Sequence, residues 1–414
     1  MIFRINLYLK ILILLKSLFI SRKNMEKEIK KKIILTSKKK YFSLTSQLRI
    51  SFLILLKYLK TKFPKKNEII FLDYNLPEMP NVAKNLGYKL VFNQINKKNW
   101  FFNFDQLNKQ INHKTLAVVL TNMFNSPKET ITLKKICKKN KIILIEDNAI
   151  SFDNFTKDKK NRKLYTGESG DYSLYSFNIM KNISALFGGG VSHNDKTFSE
   201  YINNEIRKYQ SFPITVLSKQ LIIYFLLKIF GIHLIYKYFF FHIVKLSHQR
   251  NIRSILKLFY PSLKFKVINF PKYYFSKISY LSIKLVYFQL LDIKQRKFNF
   301  QKRLENNQNY LRYFKKYKIK NLSYLNIIDL NFQNPIDFPI MVKRKSDLIK
   351  FLLRNKVEVR SYYYRDCKHI FNKSKNLKKS KFENNLLCLP NHGKVNENYI
   401  LKVVNLIKDF QNKN

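Results

Sequence analysis

The stretches IILIEDNA (residues 142–149), GESGDYSLYSF (167–177) and SFNIMKNISALFGGG (176–190) decide how the rest of the chain is read. The first is an apolar run ending in two acids, the pattern of a buried strand with charge at its carboxyl end. The other two hold five of the chain's eight glycines: Gly167, Gly170, Gly188, Gly189 and Gly190. Glycine permits positive φ and close backbone approach, so this clustering points to tight turns or to a ligand held against the main chain. Acids gather in the same place, with Glu146, Asp147, Asp153, Asp158, Glu168 and Asp171 drawn from a total of only 26 Asp and Glu. Taken singly, the glycines fit ordinary turns and the carboxylates a solvated loop.

Outward from this segment the pattern alternates between helical periodicity and short apolar strands. Leu48 to Thr61 reads as a helix, Glu68 to Leu72 as a strand, Pro80 to Leu86 as a helix and Lys89 to Phe92 as a strand. Asp105 to Ile111 reads as a helix, Leu116 to Thr121 as a strand, Leu133 to Asn140 as a helix and Ile142 to Glu146 as a strand. This βαβα rhythm predicts an α/β fold with a mostly parallel central sheet and helices on both faces, with ligands beyond the carboxyl ends of the strands. Asp147 sits at such an end. Further along, Asp292 to Tyr317 reads as an amphipathic helix, and Ile336 to Val342, Ser346 to Asn355 and Asn396 to Phe410 as the elements of a smaller C-terminal α/β domain. Four divisions follow: a basic, amphipathic extension (1–40), a large domain (41–212), a hydrophobic helical insertion (213–287), and a linking helix with the small domain (288–414).

The order of the central motifs resembles the DegT/DnrJ/EryC1/StrS family of pyridoxal-phosphate-dependent sugar aminotransferases. Members share a strand with Glu-Asp-Ala, a Gly-Asp turn, Ser-Phe, a lysine and a Gly-Gly pair. The resemblance implies the aspartate-aminotransferase-like architecture, fold type I of the pyridoxal 5'-phosphate enzymes. It makes Lys181 the Schiff-base and proton-transfer lysine, Asp147 the partner of the cofactor's ring nitrogen and Ser176 a phosphate ligand. An adjacent carboxylate keeps such a ring nitrogen protonated, and a lysine amine can move a proton between carbons. A lysine at 181 also argues against the family's dehydratase branch, which carries histidine there. Weaker likeness continues through Lys89 to Leu107 (with VFNQINKKNWFFNFDQL), FQLLDIKQR from Phe288 and NLLCLPNHGKVNENYI, so it covers roughly residues 41 to 412.

Departures fall on outlying contacts. Ile150 stands where many relatives carry Gln. The family's phosphate-binding helix start is represented by Ser46-Gln47-Leu48-Arg49, where Arg49 either compensates or is a surface charge. Tyr74 is the aromatic available to stack on the cofactor ring. Tyr273, Tyr274, Phe275, Ser276 and Lys277 occupy the run that in relatives reaches the neighbouring subunit's phosphate, which would make Lys277 a cofactor contact in a homodimer. His193 reads as a turn residue, and no metal site is visible.

The chain's 79 Lys and Arg give a formal charge of +53, which suits a diphosphate substrate and partly reflects a composition rich in Lys, Asn, Ile, Phe and Tyr. No nucleic-acid recognition motif accompanies the charge, so specific nucleic-acid binding is not expected. Cys137, Cys367 and Cys388 have neither paired nor metal-ligand spacing and read as buried structural thiols in a reducing, cytoplasmic setting. Residues 1 to 24 fit an interfacial amphipathic helix, a degenerate signal or an over-long start, since Met25 opens a more ordinary beginning. Leu221 to Val244 is apolar but interrupted by Lys228, His233, Lys237 and His242, which favours helices lying on a membrane or packed on the enzyme over a spanning segment. The function expected from all of this is amino transfer, with glutamate as donor, onto a nucleotide-linked keto-sugar for surface polysaccharide or glycan synthesis. A catalytically degenerate relative acting as a membrane-associated partner in glycan assembly is the alternative.

Overall fold

The computed structural model describes residues 1–158, 160–259, 270–324, 337–361, 364–372 and 380–412. Its centre is a seven-stranded sheet of β1 (Tyr41–Thr45), β2 (Glu68–Leu72), β3 (Lys89–Asn93), β4 (Thr115–Thr121), β5 (Ile143–Asp147), β6 (Tyr172–Ser176) and β7 (Gly189–His193). The spatial order is β1-β7-β6-β5-β4-β2-β3. β7 runs antiparallel to both its neighbours, and the other pairings are parallel. Every residue of β2, β4 and β6 is buried, as expected of strands covered on both faces.

Helices α1 (Ile11–Phe19) and α2 (Met25–Ser37) precede the sheet; α3 (Leu48–Lys62), α4 (Glu78–Asn85), α5 (Phe104–Gln110), α6 (Pro127–Lys139) and α7 (Lys196–Arg207) belong to it. The expected rhythm is therefore the observed one, with most boundaries within a residue or two. α6 is the exception, starting at Pro127 rather than Leu133. Ser126 and Glu129 form a reciprocal capping box, and Pro127 occupies the first turn, where its missing N–H costs nothing. Those start signals precede the apolar periodicity, so reading the periodicity alone placed the start too late.

After α7 come α8 (Ile214–Phe230) and α9 (His233–Gln249), bent by 78° at the break between them. No single helix among the described residues is long and apolar enough to cross a membrane. α10 (Tyr280–Leu291) then leads into α11 (Ile293–Tyr317), so the expected border at 287/288 falls inside a helix. The small domain is an antiparallel sheet of β8 (Leu322–Tyr324), β9 (Asp337–Val342) and β10 (Leu386–Pro390), flanked by α12 (Lys345–Arg354) and α13 (Glu397–Asn412). Ile336, expected to open β9, lies outside the described residues. All three cysteines are buried as free thiols.

The N-terminal stretch is part of the folded body. Phe3, Ile5, Leu7 and Leu9 share one buried cluster with Tyr236, Phe240 and Val244 of α9 and with Leu348 and Leu352 of α12. Glu358, beside the small sheet, accepts hydrogen bonds from Arg4 Nε at 3.3 Å and Tyr236 Oη at 2.7 Å, and all three side chains are buried. Breaking a buried ion pair from one side strands a charge without its partner. Glu358→Ala should therefore cost about 3–5 kcal/mol, read as a lower melting temperature and as earlier proteolysis within residues 1–25.

Candidate active site

Asp147 ends β5 and is enclosed. Its Oδ1 accepts the Ala149 N–H at 2.9 Å, while the Asn148 N–H donates to Leu174 O of β6 at 2.9 Å. Burial raises the carboxyl's pKa, opposed by that N–H and by the charges of Lys181 and Arg49. Lys181 lies in the loop between β6 and β7. Burial pushes its pKa down to about 8, Asp147 pulling it upward and Arg360 and Arg49 adding to the depression. Asp147 and Lys181 are thus electrostatic neighbours at the carboxyl end of the parallel strands, although 34 positions separate them.

The Lys181 loop is tied at several points. Phe177 N–H donates to Gly188 O at 2.9 Å where the strands diverge. Beyond it, Gln289 of α10 accepts the Ser184 N–H at 3.0 Å and returns a bond from its Nε2 to Ser184 O at 2.6 Å. Ser282, about two turns before Gln289, donates to Ala185 O at 2.8 Å. Leu186 takes φ +65°, a strained value for a branched aliphatic residue that these anchors hold in place. Gln289 belongs to the FQLL run that the sequence offered only as family likeness.

Two glycines set the site's shape. A Cβ on Gly189 would meet Leu48 N at 2.1 Å, so only glycine lets the first turn of α3 press against β7. Ser176 is directly opposite Gly189 in the β6–β7 register. The start of α3 therefore lies beside Ser176 without a side-chain cap, and its early amides are available to an anion. Gly167, at φ +88°, and Gly170 donate their N–H groups to Glu146, which also accepts from Asn122 Nδ2 at 2.8 Å. Asp171 accepts the Leu144 N–H at 2.9 Å and pairs with Lys134. Most acids of the cluster thus hold turns together, and Asp153 pairs with Arg296.

Of the expected residues, Arg49 joins the group, since Asp147 and Lys181 both feel its charge. Its guanidinium donates to Tyr274 Oη at 2.6 Å and lies 5.2 Å from that ring's centre. Ser176 is buried next to the α3 start. Tyr74 stands apart: it is fully buried, packs on Phe382 at 4.9 Å between ring centres, and accepts the Tyr364 N–H at 3.0 Å. The aromatic that senses Asp147's charge is Tyr364 instead. Lys277 is exposed, its N–H donating to Gln210 O at 2.8 Å, and it takes no part in the Lys181 group within one protomer. Ile150 is buried in the large-domain core. His193, expected in a turn, is instead the last residue of β7, buried among Tyr41, Tyr172 and Phe198. No cluster of potential metal ligands occurs among the described residues.

Sequence reading missed Glu78, Arg360 and Tyr364, all within electrostatic reach of the centre. Glu78 opens α4 and has a buried Oε2 without a hydrogen-bond partner. Arg360, 3.0 Å from Asp337, arrives from the small domain. Nothing in local spacing marks them, because the fold alone brings them to Lys181.

Pyridoxal phosphate fits these residues: a buried carboxylate for a ring nitrogen, an amine of depressed pKa, and an uncapped helix start with Ser176 and Arg49 for a phosphate. Residues 24–218 match the model of the DegT/DnrJ/EryC1/StrS aminotransferase family. The chain is similar to GDP-perosamine synthase of Escherichia coli O157:H7, at 29% identity over 28% of this chain and 31% of that protein. It is also similar to the UDP-4-amino-4,6-dideoxy-N-acetyl-beta-L-altrosamine transaminase of Helicobacter pylori, at 28% identity over 33% of this chain and 34% of that one. The alignments thus span about a third of the length of these relatives. Among solved structures, Helicobacter pylori PseC, an aminotransferase of pseudoaminic acid biosynthesis, superposes with TM-score 0.68 and 18% identity, covering 97% of this chain and 96% of its own. Spr1654 of Streptococcus pneumoniae in its PLP form gives a TM-score of 0.68 at 13% identity, with 99% of both chains covered. These last two speak to the fold.

Gln289→Leu keeps most of the side chain's volume but removes both bonds to Ser184. It should leave the melting temperature within a few degrees and slow the coupling of pyridoxal phosphate to Lys181 by about tenfold, since the hydrogen bonds that fix the loop contribute roughly 1–2 kcal/mol. Stopped-flow absorbance on wild type and variant checks this.

Proposed function

We propose, from the match of residues 24–218 to the model of the DegT/DnrJ/EryC1/StrS aminotransferase family, that the chain is a pyridoxal-phosphate-dependent sugar aminotransferase. Its substrate in this reading is a nucleotide-linked keto-sugar destined for surface polysaccharide or glycan, and its donor an amino acid, glutamate. The observation that carries the proposal is the half-buried Lys181 within electrostatic reach of the buried Asp147, beside the uncapped start of α3.

The bound cofactor supplies a carbonyl to take up the amino group and a cationic ring to withdraw electrons from the reacting carbon. The protein's share is electrostatic and positional. Asp147 holds the proton on the ring nitrogen, its charge undiluted by water. Lys181, with a pKa near 8, keeps a useful fraction of free amine at neutral pH and carries the proton between donor and acceptor carbons. Ser176, the first amides of α3 and Arg49 hold the phosphate. Arg360 offers a guanidinium to a donor carboxylate or to the substrate's diphosphate. Lys277 reaches a phosphate only across a homodimer, which this reading requires. The cytoplasm is the setting in which nucleotide-linked substrates and free thiols both fit.

A second reading, a family member that has lost catalysis, is favoured by Ile150 in the core and by the buried Gln47 and Leu48 side chains at the helix start. One experiment separates the two. Pyridoxal phosphate is added to the purified protein, the lysine adduct is fixed with borohydride, and mass spectrometry locates it. The modification is expected on Lys181 and absent in Lys181→Arg; no modification with excess cofactor sinks the enzyme reading. Because the free amine is the reactive form, and burial lowers the pKa to about 8, the coupling rate should rise with pH through about 8 and level off above it. An ordinary exposed lysine would keep accelerating toward its usual 10.5.

A further inference from the structure

The N-terminal stretch and the α8–α9 pair form one exterior unit with a saturated inner side. Tyr224 Oη donates to Leu9 O at 3.1 Å and Lys228 Nζ to Leu7 O at 3.2 Å. Phe3 meets Tyr236 and Phe240 at ring-centre distances of 5.1 and 5.7 Å. The outer side is apolar and uncovered. Among the described residues 23 large hydrophobic side chains are exposed, and six lie in 11–20 and twelve in 214–246. They include Leu12 at 74%, Phe19 at 84%, Ile214 at 79% and Phe239 at 70% of full exposure. Single exposed hydrophobics are ordinary; a concentration on two adjoining elements marks a docking face.

Charge identifies the occupant. There is no Asp or Glu from Met1 through Met25, nor from Ile206 through Leu291. Arg22, Lys23, Lys219 and Arg250 are exposed within these same segments. A two-fold dimer built on this face would set the patch against itself, bringing cations together with no carboxylate to pair them. α8 by itself falls short of a bilayer, its 17 residues spanning about 25 Å against a hydrocarbon core of about 30 Å, and the α8–α9 pair, long and apolar enough when joined, is bent by 78° at the break. An apolar face rimmed by Lys and Arg, on helices too short and too bent to span, is what binds in the plane of an anionic interface.

We propose that α1 and the α8–α9 pair together form a docking face for the surface of an anionic lipid bilayer. The outer side chains enter the head-group boundary while the lysines and arginines meet lipid phosphates, and the Lys181 site stays on the water side. The inference does not rest on the aminotransferase reading. The full-length protein is mixed with vesicles of equal parts phosphatidylglycerol and phosphatidylcholine, or of phosphatidylcholine alone, and floated on a density gradient. Binding to the mixed vesicles should exceed that to the neutral ones by about tenfold or more and weaken with salt. Phe19→Glu and Phe239→Glu, both at exposed positions, should each cut it by about tenfold while leaving the melting temperature and cofactor coupling at Lys181 unchanged. No flotation with anionic vesicles, equal flotation with neutral ones, or flotation unaffected by either substitution overturns the proposal. So does a lipid-free dimer that Phe239→Glu converts to monomer, which would make the face a contact between copies. Loss of cofactor coupling with intact flotation would count against the enzyme reading alone.

Discussion

The close approach of α3 to β7 is the constraint around which the large domain is arranged. Gly189 removes the one atom that would hold Leu48 off the sheet, and the adjacent Gly190 does the same for the Phe42 ring. With the helix start seated there, its unpaired amides share a corner with Ser176, and Arg49 one residue later feels the charge of Asp147. A larger residue at 189 would move helix against sheet, and with it the one place in this corner where backbone dipoles and a guanidinium converge. The nearly glycine-free composition elsewhere agrees with this. Glycine is kept at close approaches such as that of Gly189 and at positive-φ turns such as those of Gly87 and Gly167, while other positive φ values fall on residues such as Asn24 and Lys38 at helix ends.

Burial then decides the chemistry. Asp147 and Lys181 would each be ordinary ions in water. In the fold, with Asp147 buried and Lys181 half-buried, the acid is pushed up and the amine down, while each favours the other's charged form. Such a pair sits closer to neutrality than either group does in water, the poise that proton transfer between groups requires. The rigidity comes from elsewhere: Gln289 and Ser282 on α10 grip the backbone on the far side of Lys181, so the amine's position is set by a helix about 100 residues downstream.

How much of this was legible follows from the range of each interaction. Strands such as Ile143–Asp147 and helices such as Leu48–Lys62 announce themselves, because period and capping are local properties. The order of Asp147, Ser176, Lys181 and the glycine triplet was legible for the same reason, since it lies along 44 consecutive positions. Glu78, Arg360 and Tyr364 were not, because each reaches the centre through a different element and has a sequence neighbourhood like any other. Tyr74 was the aromatic available to stack on the cofactor ring, yet its side chain packs on Phe382 and Tyr364; in extended chain successive residues face opposite sides, so proximity in sequence does not decide which side chain reaches a site. The acid cluster was correctly seen as local, but its carboxylates mostly accept backbone N–H groups, a use that composition cannot separate from solvation.

The appended parts obey a different economy of charge from the large domain. Between Lys39 and Asp195 nearly every buried acid has an N–H or a cation assigned to it, as Glu146 has Gly167 and Glu68 has Lys89 and Asn112. In α1, α8 and α9 there are no acids to assign, and polar groups inside are met by backbone carbonyls, as Lys228 meets Leu7 O, or by an acid from the small domain, as Tyr236 meets Glu358. A helical unit can fold that way because its amides are satisfied along its own axis and its inner face by Phe3, Tyr236 and Phe240. What remains is an exterior that water solvates poorly and that carries one sign of charge. Two such surfaces repel each other, and each gains from an apolar phase bordered by anions. The same absence of carboxylates that makes self-association unfavourable therefore makes this face selective.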